Sequence, residues 1–154
     1  MQTSTPLRKL AADANVILSA VAGKAALRVF LMEGIEIVTT EFNISEVREY
    51  IGVIADKYEF SEEIIESQLK LLPLRIYQQK FYEDFLIIAT KRLAESDEDD
   101  VELLALSLKL KVPVWSNDRY FQHLGVEIYS TAKLLKILDC DVHLLRKHRA
   151  KIQR

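Results

Sequence analysis

Leu10-Ala11-Ala12-Asp13-Ala14-Asn15-Val16-Ile17-Leu18-Ser19 is the stretch on which the fold turns. Leu10-Ala11-Ala12 is a short apolar run stopped by an acid, the pattern of a buried strand that ends at Asp13. Extended to Ala22 and preceded by Arg8 and Lys9, the same stretch imitates a secretory signal with a small-residue cleavage site. Asp13 and Asn15 stand in the middle of that would-be apolar core, where an ionised carboxylate is expensive, and this argues against a signal. The chain therefore opens with a strand carrying an acid at its carboxyl end.

Working outward, strand and helix patterns alternate. Residues 24–33 look helical through Ala25, Leu27, Val29, Phe30 and Leu31, and Ile35-Glu36-Ile37-Val38-Thr39 alternates as a second strand. From Thr40 to Lys57, Ile44, Val47, Ile51 and Ile54 recur at helical spacing. Ser61 followed by Glu62-Glu63 starts another helix, since a hydroxyl cap and first-turn acids suit a helix N-terminus. Pro73 stops it, and Leu74-Arg75-Ile76-Tyr77 reads as a short strand. One long helix is predicted over 79–94. A further helix over 97–111 is apolar on nearly every side, so it must be covered on several faces. Val112-Pro113-Val114-Trp115-Ser116 and Val126-Glu127-Ile128-Tyr129 follow as strands, and Ser130 caps a helix over 131–138. Strands separated by helices imply right-handed crossovers and a parallel sheet covered on both faces, an α/β fold. With no repeat and no linker, residues 1–154 form a single domain, with its core at about 9–138 and a basic helix or tail at about 141–154.

Composition narrows the function. The 154 residues carry 21 basic and 23 acidic side chains, for a net charge of −2, so nucleic acid feels no global attraction and must meet a local patch. Four Gly and three Pro, without low-complexity tracts, exclude fibrous and disordered architectures. The single cysteine, Cys140, can form neither an internal disulfide nor a cysteine-based zinc site, which points to a reducing compartment. No other stretch reaches the roughly 18 apolar residues of a membrane span. A soluble, cytoplasmic protein is expected. His123, His143 and His148 lack paired ligand spacing; Gly23, Gly34, Gly52 and Gly125 build no phosphate loop; no serine sits in a nucleophile elbow.

Acids carry the remaining signal. In an open parallel sheet, ligands bind outside the carboxyl ends of the strands, where the winding reverses. Asp13 and Asp118 both fall at strand ends, and neighbouring strands lie about 4.8 Å apart. Carboxylates that close raise one another's pKa or demand a cation. Asp118 could alternatively cap a turn through Arg119-Tyr120-Phe121. Asp97-Glu98-Asp99-Asp100 opens the buried helix, where acids suit the dipole, but four in a row exceed what capping requires. Asp100 is the member expected to point inward, because Leu104 one turn on begins the buried stripe. Glu46, in Asn43-Ile44-Ser45-Glu46, has capping-box spacing, with Glu41 and Glu49 as rivals nearby. Together these acids suit Mg²⁺ or Mn²⁺, hard cations that share carboxylates with substrate phosphates. Such sites hydrolyse phosphodiesters by polarising a phosphoryl oxygen and activating water.

Four segments resemble the PIN domain, the nuclease fold of VapC-type toxins: Leu10 to Ser19, Ile44-Ser45-Glu46-Val47, Asp97 to Leu106, and Val114-Trp115-Ser116-Asn117-Asp118-Arg119-Tyr120-Phe121. The resemblance implies a three-layer α/β/α sandwich about a parallel sheet. It places the catalytic metal ligands on Asp13, Glu46, Asp100 and Asp118, with Asn15 and Ser116 as supporting polar residues. It further implies a Mg²⁺- or Mn²⁺-dependent endoribonuclease cutting single-stranded RNA, in some relatives the toxin countered by a small antitoxin. Tyr120 departs from the pattern, since many members carry an Asp there; Asp97 and Asp99 are the neighbouring acids that would compensate.

Lys24, Arg28 and Arg119 are candidate phosphate contacts, and the basic tail from Leu144 to Arg154 is either a solvated helix end or a phosphate attractor. Tyr50, Ile51, Val53, Ile54, Tyr58, Ile64, Ile65 and Leu69 are expected in the core, with part of the stretch left as a homodimer face; in VapC-like relatives this region also meets the antitoxin. Competing functions are a haloacid dehalogenase-like phosphatase with Asp13 as nucleophile, although such enzymes favour an acid where Asn15 stands, and a PIN-like scaffold that binds RNA or protein without cutting. A receiver domain lacks its expected late lysine.

Overall fold

The computed structural model describes residues 7–93, 100–118 and 124–152. Five strands, β1 (Lys9–Ala12), β2 (Glu36–Thr40), β3 (Leu74–Tyr77), β4 (Val114–Trp115) and β5 (Ile128–Tyr129), form one sheet in the order β3-β2-β1-β4-β5, every pair parallel. The helices are α1 (Ala14–Val21), α2 (Ala26–Phe30), α3 (Glu41–Tyr58), α4 (Glu62–Leu71), α5 (Gln79–Tyr82), α6 (Leu86–Arg92), α7 (Asp100–Leu110) and α8 (Thr131–Ile152). Winding outward from β1 in both directions places the reversal of strand order between β1 and β4, where an α/β sheet opens its crevice.

Strand alternation divides the core in two. Leu10, Ala12, Ile37 and Trp115 face one side, among residues of α1, α2, α3, α4 and α8. Ala11, Val38 and Val114 face the other, against Tyr82, Ala89 and Leu103 to Leu106. The predicted two-sided covering of the sheet is thus observed, as an α/β/α sandwich. Trp115 is wholly buried; its indole N–H donates to Thr131 Oγ1 at 3.0 Å, and its ring lies 5.3 Å from that of Phe30. Residues 103–107 of α7 are all buried, which accounts for a helix with no polar face. Among the described residues, no helix is long and apolar enough to cross a membrane.

Several local expectations change. The apolar stretch after Asp13 is helix α1, which the sequence reading left without secondary structure. The helix predicted over 79–94 is broken: Tyr82 leaves helical geometry (φ −116°, ψ 9°) and Glu83–Phe85 form a 3₁₀ turn before α6. The break accompanies burial of the Tyr82 ring with its hydroxyl on Glu102, and Asp84 in the turn pairs with Lys109 at 2.7 Å. Pro113 precedes β4 rather than lying in it, and its carbonyl accepts the N–H of Ala11 at 2.9 Å. The last helix does not stop at residue 138 but runs to Ile152, so residues 141–152 continue it rather than form a separate tail. Ser130 Oγ does accept the Lys133 N–H at 3.1 Å, as a cap should. In the apolar stretch of α3 and α4, Ile51, Ile65 and Leu69 are buried, whereas Tyr50, Val53 and Ile64 are half exposed or more.

Candidate active site

Register brings the first acid and a serine together. Ala12 of β1 pairs with Trp115 of β4, so Asp13 and Ser116, the next residue on each strand, meet at the carboxyl edge. The Asp13 N–H donates to the Trp115 carbonyl at 3.1 Å, holding the two chains side by side past the last strand residues. Asp13 is also the N-cap of α1: its backbone is extended, and Oδ1 accepts the Val16 N–H at 2.9 Å. Its other oxygen, Oδ2, accepts the Ser116 hydroxyl. Thr39, on β2, donates its hydroxyl to the Ala12 carbonyl at 2.8 Å and fixes the same strand end from the opposite side.

Three consecutive residues after β4 each have a separate role. Ser116 Oγ donates to Asp13 and accepts the Asp118 N–H at 3.0 Å. Asn117 Oδ1 accepts the Thr131 N–H at 2.9 Å, tying the loop to the start of α8. Asp118 turns into a cleft.

That cleft, about 370 Å³, is lined by Asn15 and Leu18 of α1, Glu46, Tyr50, Val53 and Ile54 of α3, Asp100 of α7, and Asp118. Glu46, Asp100 and Asp118, from segments far apart in sequence, therefore share one space with the amide of Asn15. Asp13 adjoins them through Ser116 and the charge of Asp118. Only 6% of its surface is exposed, and burial pushes its carboxyl above the ordinary value; the hydrogen bonds from Ser116 and Val16 pull it down, and Asp118 pushes it further up.

Glu46 reaches the cleft by a route other than capping. The N-cap of α3 is Thr40, whose Oγ1 accepts the Asn43 N–H at 3.0 Å and donates to Asn43 Oδ1 at 2.6 Å. Asn43 is consequently inside the helix, and Glu46 is in the second turn, one turn before Tyr50. Lys24 and Arg28 do not line the cleft: the Lys24 ammonium lies 4.5 Å from the Tyr58 ring, and Arg28 pairs with Asp139 at 3.3 Å. Asp97, Asp99 and Arg119 lie outside the described residues. Sequence reasoning missed Tyr82 and Gln79, which donate to the two oxygens of Glu102, the Gln79 bond at 2.8 Å. Nothing in the spacing marks this cluster, because the two donors lie on α5 and Glu102 on α7.

The donor set suits a hard divalent cation in kind, being carboxylate and amide oxygen throughout. The arrangement is open: among the described residues, no three His, Cys, Asp or Glu side chains draw together tightly enough to hold an ion as they stand.

A family model for the PIN domain matches residues 12–139, most of the chain, a range that includes Asp13, Glu46, Asp100 and Asp118. The chain belongs to the PIN domain family. PIN domains are generally nucleases, and a crevice of carboxylates at the switch point of the sheet accords with that chemistry. A chain in the crystal structure of VapBC2 from Rickettsia felis, bound to a DNA fragment from their promoter, is similar in fold, with a TM-score of 0.59 at 11% sequence identity. The likeness covers 79% of the present PIN domain chain and 98% of that one. No curated protein matches the sequence.

Proposed function

We propose that this PIN domain is a Mg²⁺- or Mn²⁺-dependent endoribonuclease that hydrolyses single-stranded RNA. The observation that carries the proposal is the shared cleft: Glu46, Asp100 and Asp118 converge beside buried Asp13 at the point where strand order reverses. Four carboxylates gathered there destabilise one another unless protons or a cation compensate, and substrate phosphates add more negative charge. Glu46, Asp100 and Asp118 would hold the cation, with Asp13 supporting them from behind. A divalent ion supplies Lewis-acid polarisation of the scissile phosphate and offsets the charge that builds on it.

The chain's own residues have distinct tasks. Ser116 locks Asp13 in one rotamer and fixes the backbone of Asp118, so the two acids keep a constant relation. Asn15, exposed at the cleft rim, offers an amide to orient phosphate oxygen or water. Asp13 is poorly placed as an attacking nucleophile, since each of its oxygens already accepts a hydrogen bond, and this tells against a phosphoaspartate route. The fold likeness to a VapBC2 chain and the lone cysteine support a cytoplasmic toxin countered by a small antitoxin.

The deciding experiment incubates end-labelled single-stranded RNA with purified protein and Mn²⁺. Internal cleavage that stops with chelator and is absent in Asp118→Asn is expected. Intact RNA at all divalent-ion concentrations, or equal cutting by wild type and Asp118→Asn, would overturn the proposal.

A further inference from the structure

The cleft has two chemical halves. Its polar half is Glu46, Asp100 and Asp118 with the amide of Asn15; the remainder is Tyr50 with Val53, Ile54 and Leu18. Tyr50 lies one helical turn beyond Glu46 on α3, so both side chains project from the same face into the same space. Its side chain is nevertheless 53% exposed, and Val53 beside it is 59% exposed. A large aromatic ring standing half in solvent within a cleft contributes little to core packing. Among the described lining residues there is no Lys or Arg, so none of these residues pairs with the phosphate backbone.

We infer that Tyr50 is a stacking platform for a nucleobase adjoining the scissile phosphate, and that it selects unpaired nucleotides. The inference rests on the nuclease function proposed above. A phosphodiester drawn to the carboxylate end places its attached sugar and base within reach of the next turn of α3, which is where the ring lies. Every base offers a π-face to an aromatic side chain, and such stacking supplies affinity without sequence preference. A base inside a duplex has both faces occupied by its neighbours and cannot use the platform. Val53 and Ile54 would cover the outer edge of the stacked base. Tyr50 would then act on substrate binding, and the acids on the chemical step.

The test uses a short single-stranded RNA carrying one 2-aminopurine, whose fluorescence falls on stacking, mixed with the full chain and Ca²⁺ to hold cleavage in check. Wild type and Tyr50→Phe should quench the probe and bind it alike. Tyr50→Leu, which keeps apolar bulk but loses the ring, should bind about 10-fold more weakly and lose the quench. In cleavage with Mn²⁺, Tyr50→Leu should raise KM with kcat little changed, and the corresponding duplex should be a poor substrate for wild type. If Tyr50→Leu binds and quenches as wild type does while RNA is still cut, the platform is overturned and the nuclease function stands. If wild type neither binds nor cuts the RNA, both fall. If Tyr50→Leu instead abolishes capture of a partner protein and leaves RNA binding untouched, the ring belongs to a protein interface and the inference is overturned.

Discussion

Ser116 and Asp13, 103 positions apart in sequence, share a hydrogen bond across the crevice between β1 and β4, and the same serine oxygen accepts the N–H of Asp118. One hydroxyl thus sets the relation of two carboxylates. Ser116→Ala removes the donor that pulls the Asp13 carboxyl down and leaves the Asp118 N–H without that acceptor. Loss of a supporting residue of this kind lowers metal affinity or activity by about 10–100-fold. Loss of a buried partner costs about 1–3 kcal/mol of stability. Steady-state cleavage and urea unfolding of Ser116→Ala measure the two effects separately.

Asp13 makes stability depend on pH in a defined direction. Its folded carboxyl titrates above the ordinary value of 3.8, so the native state binds more protons than the unfolded chain between that value and the raised one. Stability therefore falls as pH rises through that interval and stays lowered above it. Asp13→Asn lacks this loss. Without divalent ions it should melt at the same temperature as wild type or higher at neutral pH, with the difference closing below the ordinary carboxylate range. Thermal melts across pH check this, and a wild type more stable than Asp13→Asn at neutral pH would contradict it.

Tyr82 is buried with its hydroxyl on Glu102, and burial together with that carboxylate raises its pKa well above the ordinary phenol value of 10. Tyr82→Phe leaves Glu102 with one donor fewer and should cost about 1–3 kcal/mol in urea unfolding. Because the folded tyrosine holds its proton beyond pH 10, it contributes a fall in wild-type stability above that pH, and the phenylalanine variant should fall less, keeping the contribution of Tyr129, whose phenol is also raised by burial and Glu127.

Arg28 pairs with Asp139 with both side chains about two-thirds exposed, and neither Arg28 nor Lys24 lines the cleft. Exposed pairs of this kind contribute little. Arg28→Ala and Lys24→Ala should leave RNA cleavage and the melting temperature close to wild type; a large rise in KM in either variant would place a phosphate path outside the cleft.

The sheet was largely legible because its strands are bounded by chemistry: Asp13 ends β1, Pro73 precedes β3, and β2 alternates through Ile37 and Thr39. The buried helix α7 was equally plain from its unbroken apolar run. Helix α1 was not, since its eight residues follow the strand end at Asp13 with no Gly or Pro between, and their apolar run imitates the core of a secretory signal. The break at Glu83–Phe85 carries no Gly or Pro, and the contact that accompanies it joins Tyr82 to Glu102 on another helix. The extension of α8 was missed although Val142 and Leu145 carry on the helical spacing of Leu134, Leu135 and Leu138; the cluster of basic residues from Arg146 onward marked the segment as a separate element. At the site, the acids could be named from strand ends and helix starts. Their meeting in one cleft depended on β1 pairing with β4 and on Thr40, not Asn43, beginning α3, which sets the face that Glu46 presents.

The central claim is that Glu46, Asp100 and Asp118 take up one divalent ion together. Calorimetric titration of Mn²⁺ into the wild type and into Glu46→Gln, Asp100→Asn and Asp118→Asn tests it most directly. Saturable uptake by the wild type is predicted, weakened at least about 10-fold by each substitution alone, in line with what losing even a supporting residue costs a metal site. Uptake of Mn²⁺ by all three variants with wild-type affinity, or none by the wild type, would contradict it.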